Sequence, residues 1–125
     1  MWRYANPNPA GNKVGDCTVR ALSLATGTSW DEMYDRQCRK GASMHDMPSS
    51  NAVWGAVLRD EGFHREVIPA ALCDCYTVED FARDHPWGRY VLAISGHVVA
   101  CIDGDIYDTW DSSRELPVFY WTEGS

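Results

Sequence analysis

The sequence predicts an α+β fold in a single domain, with N-terminal helices packed on a C-terminal antiparallel β-sheet. A chain of 125 residues has the length of one domain. Apolar residues recur with helical spacing in the first two thirds, whereas short apolar runs between turn residues dominate the last third. Helices followed by a run of strands are typical of the α+β class. The expected organisation is an extended lead-in over 1–15, a mainly helical part over 16–85 and an antiparallel sheet over 86–125.

Capping residues and helically spaced apolar residues predict four helices. The lead-in is rich in Pro, Asn and Gly, which favour loops. Each helix then follows a residue whose side chain can cap it. The helices are expected over 17–25 behind Asp16 and before Gly27, over 30–39 behind Ser29 and before Gly41, from Ser49 or Ser50 to Gly62, and over 78–84 behind Thr77.

Apolar runs bounded by turn residues predict the strands. They are expected over 63–68, 89–95, 97–102, 105–110 and 118–121. The dipeptide Asp103-Gly104 is typical of a two-residue hairpin turn. With that turn, Ile102 pairs with Asp105, and Val99 pairs with Asp108.

The charge balance argues against nucleic-acid binding. The net charge is −7 and the pI is about 4.9. No basic run is longer than Arg39-Lys40, whereas nucleic-acid binding needs clustered Lys and Arg. The acidity favours solubility and, mildly, cationic substrates or partners.

The sequence predicts a cytoplasmic protein without a membrane partner. Residues 1–9 lack the apolar region of a signal peptide, and no stretch approaches the length of a transmembrane span. Five cysteines are an odd number with irregular spacing, so a disulfide framework is not expected. At least one thiol should therefore be free.

Cys17 is a candidate nucleophile because it stands at the start of a predicted helix. Unpaired backbone N–H groups and the helix dipole converge there and favour a thiolate over a thiol. The same N–H groups could hold the oxyanion of a tetrahedral intermediate. The alternative for a single cysteine in this position is a small buried apolar side chain.

His97 and Asp108 are candidate partners because the predicted hairpin brings them to one face. Strand side chains alternate with period two, so His97 and Asp108 lie diagonally opposite each other. A carboxylate there can bond one imidazole nitrogen and leave the other free to face a thiol. The alternative is a histidine at a strand end and a solvated aspartate.

These motifs, in this order, resemble the papain-like cysteine peptidase superfamily. The matching residues are Gly15-Asp16-Cys17 at a helix start, Gly96-His97 at a strand start and Asp108-Thr109-Trp110 on the next strand. The lead-in and the segment that follows it are also similar to small papain-fold proteins of bacteria and their phages. The resemblance covers about residues 6–27 and 89–113.

The resemblance implies a cysteine hydrolase, a peptidase or amidase that forms a thioester acyl-enzyme on a peptide or protein substrate. It implies no cofactor, and it assigns Cys17 as nucleophile, His97 as general base and Asp108 as the residue that orients His97. Trp110 matches the family's tryptophan, whose indole shields the bond between His97 and Asp108 from water.

Superfamily enzymes usually carry a Gln before the nucleophile as a second oxyanion donor. No Gln precedes Cys17 in this chain. Asn12, Asn8 and Asn6 carry the same amide group and are the candidates for that role.

Two other functions fit the same residues. One is a binding protein that keeps the fold without turnover, and the other is a deamidase or transglutaminase-like acyl enzyme. Because the short chain leaves little room for a two-lobed cleft, a protein partner could complete the site. No metal is expected, since Cys73-Asp74-Cys75 is spaced more tightly than zinc ligands usually are.

Overall fold

A computed structural model of the chain describes residues 1–12, 14–68 and 75–123. These residues form an α+β fold, as predicted. The helices in these ranges are α1 (Cys17–Thr26), α2 (Trp30–Met44), α3 (Asn51–Asp60) and α4 (Val78–Asp84). The strands are β1 (Trp2–Tyr4), β2 (Phe63–Val67), β3 (Arg89–Ile94), β4 (His97–Ile102), β5 (Asp105–Asp108) and β6 (Phe119–Glu123).

The strands of the described residues form one mixed sheet of six strands in the order β1-β5-β4-β3-β6-β2. The predicted purely antiparallel sheet is wrong in one place, because β1 pairs parallel to β5. β1 lies in the segment expected to be an extended loop. It supplies partners for backbone groups along the edge of β5, which would otherwise be unpaired.

Helices cover both faces of the sheet. On one face, α1, α2 and α3 pack on a core that includes Val98 and Ala100 of β4. On the other face, α4 packs on a core that includes Val99 and Cys101 of the same strand. This alternation follows from the two-residue period of a strand, and it buries β4 on both sides.

The β4–β5 hairpin has the predicted turn and register. Asp103 and Gly104 both have positive φ angles, 50° and 82°, as a type I′ turn requires. Ile102 pairs with Asp105. The ends of the two strands that lie away from the turn therefore carry His97 and Asp108.

Capping residues fix the points at which three of the helices begin, as the sequence predicted. Ser29, Ser50 and Thr77 each accept a hydrogen bond from a first-turn backbone N–H. The predicted end of α2 is wrong, because the helix continues through Gly41 to Met44. A Cβ at position 41 would lie 2.7 Å from the carbonyl oxygen of Asp46, so this glycine permits a close backbone approach within the helix rather than ending it.

Candidate active site

His97 and Asp108 meet at the open end of the β4–β5 hairpin. His97 Nε2 lies 2.6 Å from Asp108 Oδ2, a short distance that is typical of a charge-assisted hydrogen bond. Both side chains are largely buried, with 12% and 1% of their surface exposed. Burial lowers the pKa of His97, but the hydrogen bonds and charges of Asp108 and Cys17 raise it more, to about 9.

The Asp108 carboxylate is held by three further donors. Ser112 Oγ donates to Oδ2 at 2.8 Å, and the backbone N–H of Thr109 donates to Oδ1 at 2.8 Å. Arg20 Nη1 lies 3.2 Å from Oδ1. Burial raises the pKa of Asp108, but the bonds from His97, Ser112 and Thr109 and the charge of His97 lower it overall. The carboxylate is therefore fixed in its ionised form and in one orientation.

Cys17 is the first residue of α1 and contacts the same imidazole. Burial raises the pKa of its thiol, but the hydrogen bond with His97, a backbone hydrogen bond from Val98 and the charges of His97 and Arg20 lower the pKa below its usual 9.0. Since Nε2 of His97 is bonded to Asp108, Nδ1 is the ring nitrogen left for the sulfur. A lowered thiol pKa beside a raised imidazole pKa favours a thiolate–imidazolium pair near neutral pH.

Asp16 stands at the cap position of α1 but does not cap it. Among the described contacts, its carboxylate makes no bond to the first-turn N–H groups. Instead it accepts hydrogen bonds from Arg20 Nε at 2.9 Å and from the Trp30 indole at 2.9 Å. The prediction that this carboxylate bonds the helix N–H groups is therefore wrong, because stronger donors compete for it. Those N–H groups stay available beside Cys17, where an oxyanion would form.

Trp110 stacks obliquely against His97. The ring centroids are 4.8 Å apart and the ring planes make an angle of 39°. Trp110 is 44% exposed, so the indole contacts the imidazole and is also accessible to solvent. Trp110 therefore lies against the imidazole, and its role as a shield stays a prediction.

The three candidate oxyanion donors occupy different places. A cleft of about 550 Å³ contains Cys17 and His97, and both Asn6 and Asn12 line it. Asn8 is outside this lining and buried, and its amide nitrogen lies 3.4 Å from Asp16 Oδ2. Asn6 uses its amide oxygen to accept the backbone N–H of Asn8, which leaves its NH₂ group free for other partners.

Sequence reasoning missed Arg20 and Ser112 as parts of this site, and it named Thr109 in the matching run without giving it a contact. Arg20 Nη1 also donates to Thr109 Oγ1 at 3.0 Å, so this one side chain joins α1 to the end of β5. A signal for Arg20 was present, because it follows Asp16 by four residues, the spacing of an ion pair on one helix face. No local signal marks Ser112, since its partner depends on how the chain turns after β5.

The described residues offer no group of three or more His, Cys, Asp or Glu side chains that could hold a metal ion. Cys73 and Asp74 of the tight cysteine motif lie outside the described residues, whereas Cys75 is disulfide-bonded. The sequence did not predict a disulfide at this position. Cys17, Cys38 and Cys101 are free.

None of the helices within the described ranges is long and apolar enough to cross a membrane.

Comparison with known proteins adds no assignment. No protein-family profile matches the chain, and searches of curated proteins and of solved structures return no significant match.

Proposed function

We propose that this protein is a papain-like cysteine hydrolase that cleaves a peptide or amide bond through a thioester acyl-enzyme. The observation that carries the proposal is the linked set Cys17–His97–Asp108, with His97 Nε2 2.6 Å from Asp108 and the thiol pKa lowered by the imidazole. A nucleophile, a proton carrier and a group that orients the carrier are what acyl transfer needs.

The first half of the reaction forms the thioester. The Cys17 thiolate attacks the substrate carbonyl carbon, and the carbonyl electron pair moves onto oxygen. The uncapped N–H groups of α1 stabilise this oxyanion, a contribution of about 3–4 kcal/mol per donor in comparable sites. His97 then gives its proton from Nδ1 to the leaving nitrogen, the C–N bond breaks, and the amine departs.

The second half returns the enzyme to its starting state. A water molecule attacks the thioester while neutral His97 accepts a proton from it. The C–S bond breaks, the carboxylic acid leaves, and the thiolate–imidazolium pair forms again. Asp108 keeps Nδ1 directed at the reacting atoms in both halves, and it stabilises the imidazolium by its charge.

A cleavage experiment tests this proposal. The protein is incubated with a peptide mixture from a whole-cell digest, and new termini are identified by mass spectrometry. Cys17→Ala, His97→Ala and iodoacetamide treatment should each lower turnover by at least about 10³-fold. Cys38→Ala removes a half-buried thiol outside the cleft and should leave turnover unchanged.

Two outcomes would lead to other conclusions. Turnover that survives Cys17→Ala would overturn the mechanism. Products in which a side-chain NH₂ is exchanged for OH, with no new termini, would mark a deamidase that uses the same three residues.

A further inference from the structure

A second cavity adjoins the cleft that contains Cys17. It has a volume of about 580 Å³ and shares Asn12, Val14, Gly15 and Asp16 with that cleft as a common wall. Volumes of this order accommodate a large side chain or a small ligand. A substrate that lies across Cys17 can therefore extend a side chain over this wall into the second cavity, which we call the side pocket.

One wall of the side pocket is aromatic. Trp30 and Tyr34, one turn apart on α2, both line it. Their rings are stacked, with centroids 5.0 Å apart and planes 12° from parallel. Tyr34 is 50% exposed, so the stack offers an accessible ring face. Such a face attracts a cation placed over it.

The polar lining is rich in hydrogen-bond acceptors. Asp31 contributes a carboxylate at the start of α2. Gln37 is only 1% exposed, and its amide nitrogen donates to Thr18 Oγ1 at 3.1 Å and to the Pro48 carbonyl at 3.2 Å. Its amide oxygen has no hydrogen-bond partner among the described residues. A buried acceptor without a partner is costly.

The charge of the lining has one sign. The described residues of the side pocket include Asp31 and Asp16, of which Asp16 is paired with Arg20, but no Arg, Lys or His. The whole chain carries a net charge of −7. An aromatic face and a carboxylate complement a ligand that is flat or long and cationic.

We infer that the side pocket binds a basic side chain, arginine or lysine, of the peptide substrate and so sets specificity close to the cleaved bond. The inference rests on the proposed hydrolase function, because that function is what makes a peptide the substrate. The binding chemistry of the pocket can nevertheless be tested without turnover. Arginine fits best, because its planar guanidinium stacks on an aromatic ring while its N–H groups reach acceptors at the edges.

The first test measures how fast Cys17 is alkylated by peptide vinyl sulfones. The set is an acetylated tetra-alanine vinyl sulfone in which each position in turn carries arginine, citrulline, lysine or leucine. Citrulline has the shape of arginine without the charge. We expect one position at which arginine and lysine react roughly tenfold faster than citrulline or leucine, the size of one desolvated cation contact.

Matched variants assign that preference to the side pocket. Asp31→Asn should reduce the arginine-to-citrulline ratio to about threefold or less. Asp35→Asn makes the same charge change on α2, but Asp35 pairs with Arg39 and is outside the pocket lining. This control should keep the full ratio. Equal alkylation by all four residues at every position, or a preference for leucine, would overturn the inference and leave the hydrolase proposal intact.

The second test separates the pocket from catalysis. N-acetyl-arginine methylamide is titrated into the Cys17→Ser variant, and the indole N–H signal of Trp30, assigned with Trp30→Phe, is followed by NMR. A saturable shift with the arginine compound and none with the citrulline compound supports the pocket even if no peptide is cleaved. No difference between the two compounds in either test overturns it.

Discussion

Arg20 joins the two buried carboxylates of the site. It is 8% exposed, and it lies 2.9 Å from Asp16 and 3.2 Å from Asp108 through different guanidinium nitrogens. Buried ions are tolerated when each is paired, and the fork of an arginine can pair two carboxylates at once. Arg20 is therefore a positioning residue, which ties the helix that carries Cys17 to the strand that carries Asp108.

Removing this cation should be costly. Arg20→Met leaves two buried carboxylates without their shared partner, so we expect the free energy of unfolding to fall by about 3–5 kcal/mol in urea denaturation. Arg36→Met is the matched control, because Arg36 also bridges two carboxylates, Glu32 and Glu61, but at the surface. That change should cost about 1 kcal/mol or less. An equal loss of unfolding free energy in the two variants would show that the burial of the Arg20 network does not contribute to stability.

The protonation of Cys17 can be read from its reactivity. The rate of iodoacetamide alkylation follows the thiolate fraction, so in the wild type it should persist below pH 9.0, because His97 and its neighbours lower the thiol pKa. His97→Ala removes the largest lowering influence but keeps the burial that raises the pKa. The midpoint of the pH profile should therefore move upward in this variant, as measured by mass spectrometry of the peptide that contains Cys17.

Cys101 gives an internal control in the same experiment. It is fully buried, and burial raises the pKa of its thiol to about 12. Its alkylation should be negligible across the range in which Cys17 reacts, and it should not respond to His97→Ala. If the Cys17 profile is unchanged in His97→Ala, the imidazole does not activate the thiol.

At the scale of elements, Gly41 reverses a general rule. Replacing a glycine inside a helix by alanine usually stabilises the folded protein by about 1 kcal/mol. Here the added Cβ would lie 2.7 Å from the Asp46 carbonyl oxygen and 3.3 Å from the backbone nitrogen of Pro48. Since both contacts are to backbone, Gly41→Ala should instead lower the melting temperature by several degrees, equivalent to about 1–3 kcal/mol. Ser43→Ala, exposed two residues later, should change it little, and a stabilised Gly41→Ala would contradict the packing.

The elements that the sequence predicted are those with local causes. The register of the β4–β5 hairpin follows from Asp103-Gly104, and this register is what brought His97 and Asp108 together in the prediction. The missed strand β1 has three residues and a partner about a hundred positions away, so no short-range pattern marks it. Arg20 was missed for a related reason, since its burial depends on a carboxylate from another element rather than on helix periodicity.

The candidate site lies where three parts of the molecule meet. The start of α1 supplies the thiol, and the open end of the β4–β5 hairpin supplies the imidazole and carboxylate. The loop before α1 supplies the common wall of the cleft and the side pocket. Packing on both faces of the sheet holds β4, the strand that carries the imidazole, whereas the wall belongs to a more exposed segment.

The charge of the whole molecule should also act on this site. With a net charge of −7 and an acceptor-rich pocket beside Cys17, a cationic reagent should reach the thiol faster than an anionic one of the same size. We expect a cationic methanethiosulfonate to exceed an anionic one by roughly three- to tenfold at 0.01 M salt, after each rate is divided by that for free cysteine. The ratio should fall towards one by about 0.5 M salt, because the screening length shrinks from about 30 Å to a few ångströms. A ratio that does not depend on salt would mean that the acidity of the chain has no influence on the approach to Cys17, and that any preference for basic substrates arises only from contacts inside the side pocket.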